Sequence, residues 1–323
     1  MRSFTIGTND ANQRLDKFIS KAVKSLPQAL LYKYIRLRRI KVNGKRSEIA
    51  YRLCEGDVVE LYINDEFFDG NDDSGAFLHA PAKLDVVYED QNLLLVDKMP
   101  GLVVHEDESG CADTLVARIR HYLYDKGEYD PRNENSFAPA LCNRIDRNTG
   151  GIVIAAKNAE ALRVLDEKIK LREITKLYLC ICHGVPDEKS ATLEGYLQKD
   201  ESENRAYIHE KPQEGDLPIK TRYRVLARSG GLSLLEVELL TGRTHQIRAH
   251  LASIGHPLLG DGKYGSNELN RPYGMKAQAL YAYRLAFAFK TDAGILNYLK
   301  GKSFEVRDVW FQREFYQGGF KKG

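Results

Sequence analysis

The sequence predicts an α+β protein in two domains, and three observations carry that expectation. Strand-like stretches outnumber helical ones and interleave with them irregularly, without the alternation that builds a doubly wound sheet. Positive charge is concentrated at one end. Residues 1–62 hold 13 Lys/Arg against 6 Asp/Glu, a net +7, which leaves −4 for the rest of a chain whose total is +3. Finally, a polar loop, Cys142-Asn143-Arg144-Ile145-Asp146-Arg147-Asn148-Thr149-Gly150-Gly151, runs straight into Ile152-Val153-Ile154-Ala155-Ala156. Such a continuous apolar run is the pattern of a buried strand, so the loop stands at the mouth of a core.

The boundaries expected are a basic domain over 1–63, an acidic flexible linker over 64–83 and a larger domain over 84–323. In the first, Asp10 is placed to cap a helix that turns Leu15, Phe18, Ile19, Ala22 and Val23 to one face. A second helix follows Pro27, with Leu30, Leu31, Tyr34 and Ile35 inward and Lys33 and Arg36 outward; Arg38 and Arg39 follow at its end. Ile40-Lys41-Val42 then leads into Asn43-Gly44, the pair that supplies the two positive φ angles of a type I′ hairpin. Val58 to Leu61 is a closing strand. The linker is rich in Asp, Gly and Asn, and its Phe67 and Phe68 could dock on either side.

In the larger domain, Leu84 to Tyr88 and Leu93 to Lys98 read as strands about a four-residue turn, and Thr114 to Tyr124 as a helix. Asn158 caps a helix with Leu162, Leu165 and Ile169 on one face. Leu177 to His183 alternates, placing Leu177, Leu179 and Ile181 opposite Tyr178, Cys180 and Cys182. Residues 187–218 are polar enough to suggest short strands and variable loops. A strand with Leu235, Val237 and Leu239 inward delivers Thr241-Gly242-Arg243, and the helix beyond it should bury Ile247, Leu251 and Ile254 before Gly255 ends it. Further strands are expected over 285–289 and 304–309.

Composition excludes some classes. A hydrophobic fraction of 43% with 29% charged residues is ordinary for a soluble globular protein, and the apolar runs fall short of a membrane span. No secretory h-region follows Met1, and the five cysteines match no zinc spacing, so a cytoplasmic protein with reduced thiols is expected. The basic first fifth suggests a polyanion partner.

Chemistry concentrates in three places. Asp146 lies between Arg144 and Arg147, an arrangement that alone is an ordinary loop salt bridge but that favours an ionised carboxylate. Thr241 to Leu251 is rich in groups that bind anions or base edges, with Arg248 in the first turn of a helix. His245 and His250 could be metal ligands, but a five-residue gap places them on different helix faces, so no metal is expected. Tyr178 is an ordinary half-buried strand tyrosine unless the other two places converge on it.

Together these stretches resemble the three signature motifs of the RluA family of pseudouridine synthases. The matching residues are Arg144-Ile145-Asp146 with Thr149 and Gly151, Lys176-Leu177-Tyr178, and Gly242-Arg243-Thr244-His245-Gln246-Ile247-Arg248-Ala249-His250. The resemblance covers roughly residues 84–312, and the basic domain resembles the small RNA-binding domain of the ribosomal protein S-four type, as in the RluC branch. It implies a mixed, largely antiparallel sheet with flanking helices and a catalytic cleft, and isomerisation of uridine in RNA without cofactor. Asp146 would be the catalytic carboxylate, Tyr178 the group that takes the carbon 5 proton, and Arg248 the cation that orients Asp146. Arg144 would fill the gap left by a flipped base, and Arg243, His245, Gln246, Lys33, Arg36, Arg38, Arg39 and Lys41 would bind RNA. The substrate implied is large-subunit ribosomal RNA, acted on by a monomer; transfer RNA, or a non-catalytic assembly role, are the alternatives. Near Asp146 the chain departs from the family pattern at Asn143 and Gly150, where His and Ser are usual, which bears on how the loop is braced and which RNA it accepts; Tyr281 stands where His is usual, and Asp97, at a position of structural role, where Asn is usual.

Overall fold

The computed structural model describes residues 1–68, 75–106 and 111–320. The basic module contains β1 (Arg2–Thr5), α1 (Leu15–Ala22), α2 (Gln28–Arg36), β2 (Ile40–Val42), β3 (Lys45–Arg46) and β4 (Val58–Leu61). Its strands form one antiparallel sheet in the order β1-β4-β2-β3, and Asn43 and Gly44 take φ of 52° and 73° at the hairpin. Leu15, Phe18, Ile19, Leu31, Ile35 and Ile40 fill its core, while Lys33, Arg36, Arg38 and Arg39 stay exposed. The amphipathic spacing foreseen for both helices is therefore realised. The strand β1 was not foreseen.

Asp10 does not cap α1. The helix begins after Arg14 with no side-chain cap. Asp10 is instead buried, and its carboxylate accepts hydrogen bonds from Asn135 Nδ2 at 2.7 Å and Ser136 Oγ at 2.6 Å. Asn9 joins the same contact, donating to Glu134 Oε1 at 2.8 Å and accepting from the Ala159 amide at 3.0 Å. A carboxylate held by donors from the other domain fixes orientation more than it caps a helix.

Both described parts of the expected linker carry short structure. Residues Asp65–Phe67 and Ala76–His79 form 3₁₀ turns; Phe67 and Phe68 pack on the basic module, whereas Phe77 and Ala80 are buried in the larger core. That core thus reaches back into the stretch expected to be linker. The Gly- and Asp-rich part of that expectation, residues 69–74, lies outside the described residues.

The larger domain is built on an 11-stranded sheet. Its strands and helices are β5 (Val86–Glu89), β6 (Leu93–Lys98), α3 (Leu115–Asp125), β7 (Ala140–Leu141), β8 (Gly150–Ala156), α4 (Ala159–Lys170), β9 (Ile174–His183), β10 (Ser190–Asp200), β11 (Arg205–His209), β12 (Leu217–Ser229), β13 (Leu232–Leu239), α5 (Gln246–Ser253), α6 (Asn267–Asn270), β14 (Leu280–Phe287), β15 (Ser303–Glu305) and α7 (Trp310–Tyr316). The main path runs β11-β10-β12-β13-β9-β14-β8-β6-β5, with β15 beside β14 and β7 beside β8. Among the described strands β14 and β8 pair in parallel and the other pairs are antiparallel.

Both faces of this sheet are covered, which is why β8 is apolar throughout. One face carries Val96, Val153, Tyr178, Cys180 and Val237 against Leu115 and Ile119 of α3 and Ile247 and Leu251 of α5. The other packs Leu93, Ile152 and Ile154 against Leu165 of α4, and Leu179, Ile181 and Leu234 against Phe311 and Phe315 of α7. Asn158 caps α4 through its side chain as expected, and Thr114, expected inside its helix, is instead the side-chain cap of α3. Two further expectations are corrected. Residues 187–218 hold the short β11 as expected but also the long β10 and the start of the long β12, which pair with each other over eight residues and brace each other's polar sequence. Ile254 is 38% exposed, since α5 ends at Ser253 before its stripe can carry it inward.

Candidate active site

The loop before β8, the start of β9 and the start of α5 meet on the face covered by α3 and α5. Arg248 is the centre of the arrangement. Its Nη1 donates to Asp146 Oδ2 at 3.0 Å, while Nε and Nη2 grip Asp261 in a two-point contact of 2.7 and 3.0 Å. The Tyr264 ring lies under the guanidinium, 5.2 Å from its carbon. Asp261 is fully buried and its carboxyl is held below the usual value: burial opposes the charge, but Arg248 and the amides of Lys263 and Tyr264 outweigh it. Asp146 is less enclosed, its side chain 23% exposed beside a nearly buried Arg248. One carboxylate thus anchors the arginine, and the arginine aims the other toward solvent.

The helix that carries Arg248 is short but tightly seated. Ile247 and Leu251 are buried on either side of it, and each such side chain contributes about 1.5–3 kcal/mol. His245 precedes α5 in the left-handed region at φ 56°, with Nδ1 2.9 Å from the Tyr264 hydroxyl and Nε2 4.0 Å from Asp146. Burial lowers its pKa first, and the Asp146 charge opposes that.

Tyr178 on β9 is 5% exposed and sits in the apolar cluster with Ile145 and Ile247. Burial, and then the charge on Asp146, push its phenol well above the ordinary value, so the resting phenol is protonated. The three groups singled out from the sequence therefore converge. The neighbours expected to hold Asp146 ionised do not: Arg144 and Arg147 are exposed, and among the described residues the cation paired with Asp146 is Arg248, with the His245 ring 4.0 Å away.

Besides Arg248, two polar groups of the 241–251 stretch are buried within the fold. Gln246 is buried, with its amide donating to Lys220 O and Thr221 Oγ1 and accepting from Thr241 Oγ1 and the Arg243 amide; it braces the loop. His250 is buried against Thr221, and burial lowers its pKa to about 4, so it is a neutral structural residue. Arg243 and Arg144 are exposed at the rim. Asn143 braces too: its Oδ1 accepts from the Ile154 amide at 2.8 Å.

Three contributors have no role assigned from the sequence: Asp261, Tyr264 and Lys98. The first two lie in the turn Gly260-Asp261-Gly262-Lys263-Tyr264-Gly265, whose regularity is visible without revealing what it grips. Lys98 is 1% exposed and donates to the carbonyls of Met99, Leu102 and Arg147 at 3.1, 2.9 and 2.9 Å, tying β6 to the Asp146 loop. Burial lowers its pKa to about 8.

Beside it, Asp97 is raised to about 6 by burial, with Asp85 adding to the effect and the Tyr281 hydroxyl bond opposing it. A folded-state pKa above the unfolded one means stability is lost as pH rises from about 4 through 6. Asp97→Asn lacks that loss. Its stability advantage over the parent should shrink by about 2–3 kcal/mol between pH 7.5 and 4, measured by denaturant titration; a constant difference would show that Asp97 is solvated.

Comparison with known proteins identifies the family. The family model described as RNA pseudouridylate synthase matches residues 92–253, and that of the S4 domain matches residues 13–59. An uncharacterized RNA pseudouridine synthase of Mycoplasma capricolum is 31% identical over 97% of this chain and all of its own length. The ribosomal large subunit pseudouridine synthase C of Salmonella typhi is 31% identical over 90% of each chain. The structure titled human RNA pseudouridylate synthase domain containing 4 shares the fold, with a TM-score of 0.56 at 19% identity, over 78% of this chain and 98% of the other.

Proposed function

The chain belongs to the RNA pseudouridylate synthase family, and from that premise we propose that it isomerises specific uridines in large-subunit ribosomal RNA, using Asp146 on a base turned out of its helix. The observation that carries the site assignment is the Arg248 guanidinium, gripped by buried Asp261 and donating to Asp146. Relatives named for the large ribosomal subunit support the substrate class.

In the reaction the bond from C1′ to N1 breaks, the uracil turns, and a bond from C1′ to C5 forms. The C5 proton leaves and N1 gains one, so composition is unchanged and no oxidant or group donor is needed. Asp146, oriented by Arg248, acts on the ribose or the base as nucleophile or base. The Tyr178 ring offers a stacking face. Once the Asp146 carboxylate is bonded to substrate, its charge no longer opposes ionisation of the phenol. The phenol then gives up its proton more readily, by way of solvent to N1, and the resulting phenolate takes the proton that C5 loses, which leaves Tyr178 neutral again.

A base stacked in an RNA helix cannot reach a site this enclosed, so extrusion precedes chemistry, and exposed Arg144 at the rim fills the vacated space. The basic module grips the backbone through Lys33, Arg36, Arg38, Arg39 and Lys41, which makes binding salt-dependent. Replacing Lys33, Arg36, Arg38 and Arg39 with Gln should weaken RNA binding and flatten the salt slope by about one per lost phosphate contact. An unchanged slope would remove the module from the RNA interface. The substrate itself is tested by mapping pseudouridines in cells with and without the protein. Sites missing from large-subunit RNA support the proposal. Sites missing only from transfer RNA redirect it, and none missing favours an assembly role.

A further inference from the structure

Gly150, the first residue of β8, stands four positions after Asp146, and the space above its Cα is already filled. A Cβ there would lie 2.2 Å from Tyr281 Cε2 and 2.8 Å from Cζ. Its backbone does not lie in the left-handed region. The glycine is thus required by space and not by conformation. The ring that takes the space belongs to β14, which pairs with β8 on one side and β9 on the other. Tyr281 is opposite Gly150 across one ladder and opposite Leu179, next to Tyr178, across the other. Its hydroxyl donates to Asp97 Oδ1 on β6 at 2.7 Å, and Asp97 adjoins Lys98, which holds the Arg147 carbonyl.

We propose that Tyr281 is a positioning residue for the isomerisation, a wedge between Gly150 and Asp97 that sets the distance from the Asp146 loop to the strand bearing Tyr178. The pleat supports this. Tyr281 packs with Leu179 and Ile181 on the face away from Tyr178, so it acts through the backbone and not on the base. Asp97, Gly150 and Tyr281, three of the departures from the family pattern, are one contiguous unit: the ring requires the glycine, and the hydroxyl requires an acceptor at 97. The inference rests on the reading of Asp146 and Tyr178 as the reacting pair.

The experiment measures kcat and KM on RNA for folded variants, well below each melting temperature. Tyr281→Phe keeps the ring and loses the hydroxyl; kcat should fall about tenfold with KM within about twofold. Asp97→Leu should behave alike, and Asp97→Asn, which keeps an accepting oxygen, should stay near the parent. Gly150→Ala drives a methyl into the ring and should cost about 100-fold in kcat. Adding Tyr281→His, a smaller ring with a donor, should recover about tenfold of that. Should Gly150→Ala fail to fold, the Tyr281 and Asp97 series decides alone. The wedge is refuted by a Tyr281→Phe enzyme with parental kcat, or by equal losses in Asp97→Asn and Asp97→Leu. Those outcomes with Asp146→Asn inactive condemn the wedge only; an active Asp146→Asn enzyme condemns the underlying site assignment.

Discussion

Asp146→Asn should abolish pseudouridine formation, lowering kcat by about four orders of magnitude or more, while RNA affinity stays within about twofold. The amide keeps the size of the carboxylate, and its oxygen can still accept from Arg248 Nη1, so the loop has no reason to move. What disappears is the negative charge that attacks or takes a proton, and an amide has no substitute for it. Arg248 stays anchored, because its Nε and Nη2 are held by Asp261 regardless of residue 146. Release of label from carbon 5 of uridine in transcribed ribosomal RNA reads the chemistry, and a binding isotherm reads the affinity. Residual turnover above about one part in a hundred would show that another group does the chemistry.

Removing the cation should be costly in a different way. Arg248→Ala leaves Asp261 buried with no countercharge, and breaking such a pair costs about 3–5 kcal/mol. The sign with pH follows from the parent and variant together. In the parent, Arg248 and backbone amides hold Asp261 low, so its contribution is present at neutral pH and lost in acid. In the variant, burial is no longer outweighed by the arginine, so neutral pH is where the charge is most unfavourable. The deficit should therefore be greatest near pH 7 and narrow as pH falls. Arg248→Ala with Asp261→Asn should recover much of the stability and none of the activity, since Asp146 would still lack its aim. If the double variant regained turnover, Arg248 would be a structural partner of Asp261 alone.

The buried strand β8 and the cap at Asn158 were legible because each depends on neighbours a few residues away. Periodicity and capping are local, and the chain states them directly. The motifs at Asp146, Tyr178 and Arg248 were legible as residue types at known spacings. Their partners were less so. Asp10 looked like a helix cap and is a contact between domains. Arg144 and Arg147 looked like the cations of Asp146 and face outward, while the true partner lies 102 residues away. Gln246 and His250 looked like ligand-binding groups and are buried braces.

By itself the sequence determined the family, through its motifs, and the fold class, through local pattern, and it singled out three side chains that the fold brings together. Only the tertiary structure decided what holds them: Asp261 behind Arg248, Lys98 under the Asp146 loop, and Tyr281 pressed on Gly150. Each of these is a buried polar or aromatic group joined to a residue distant in the chain. Desolvation makes such a group costly unless it finds a partner, and which partner it finds is set by the packing of strands that no local window contains.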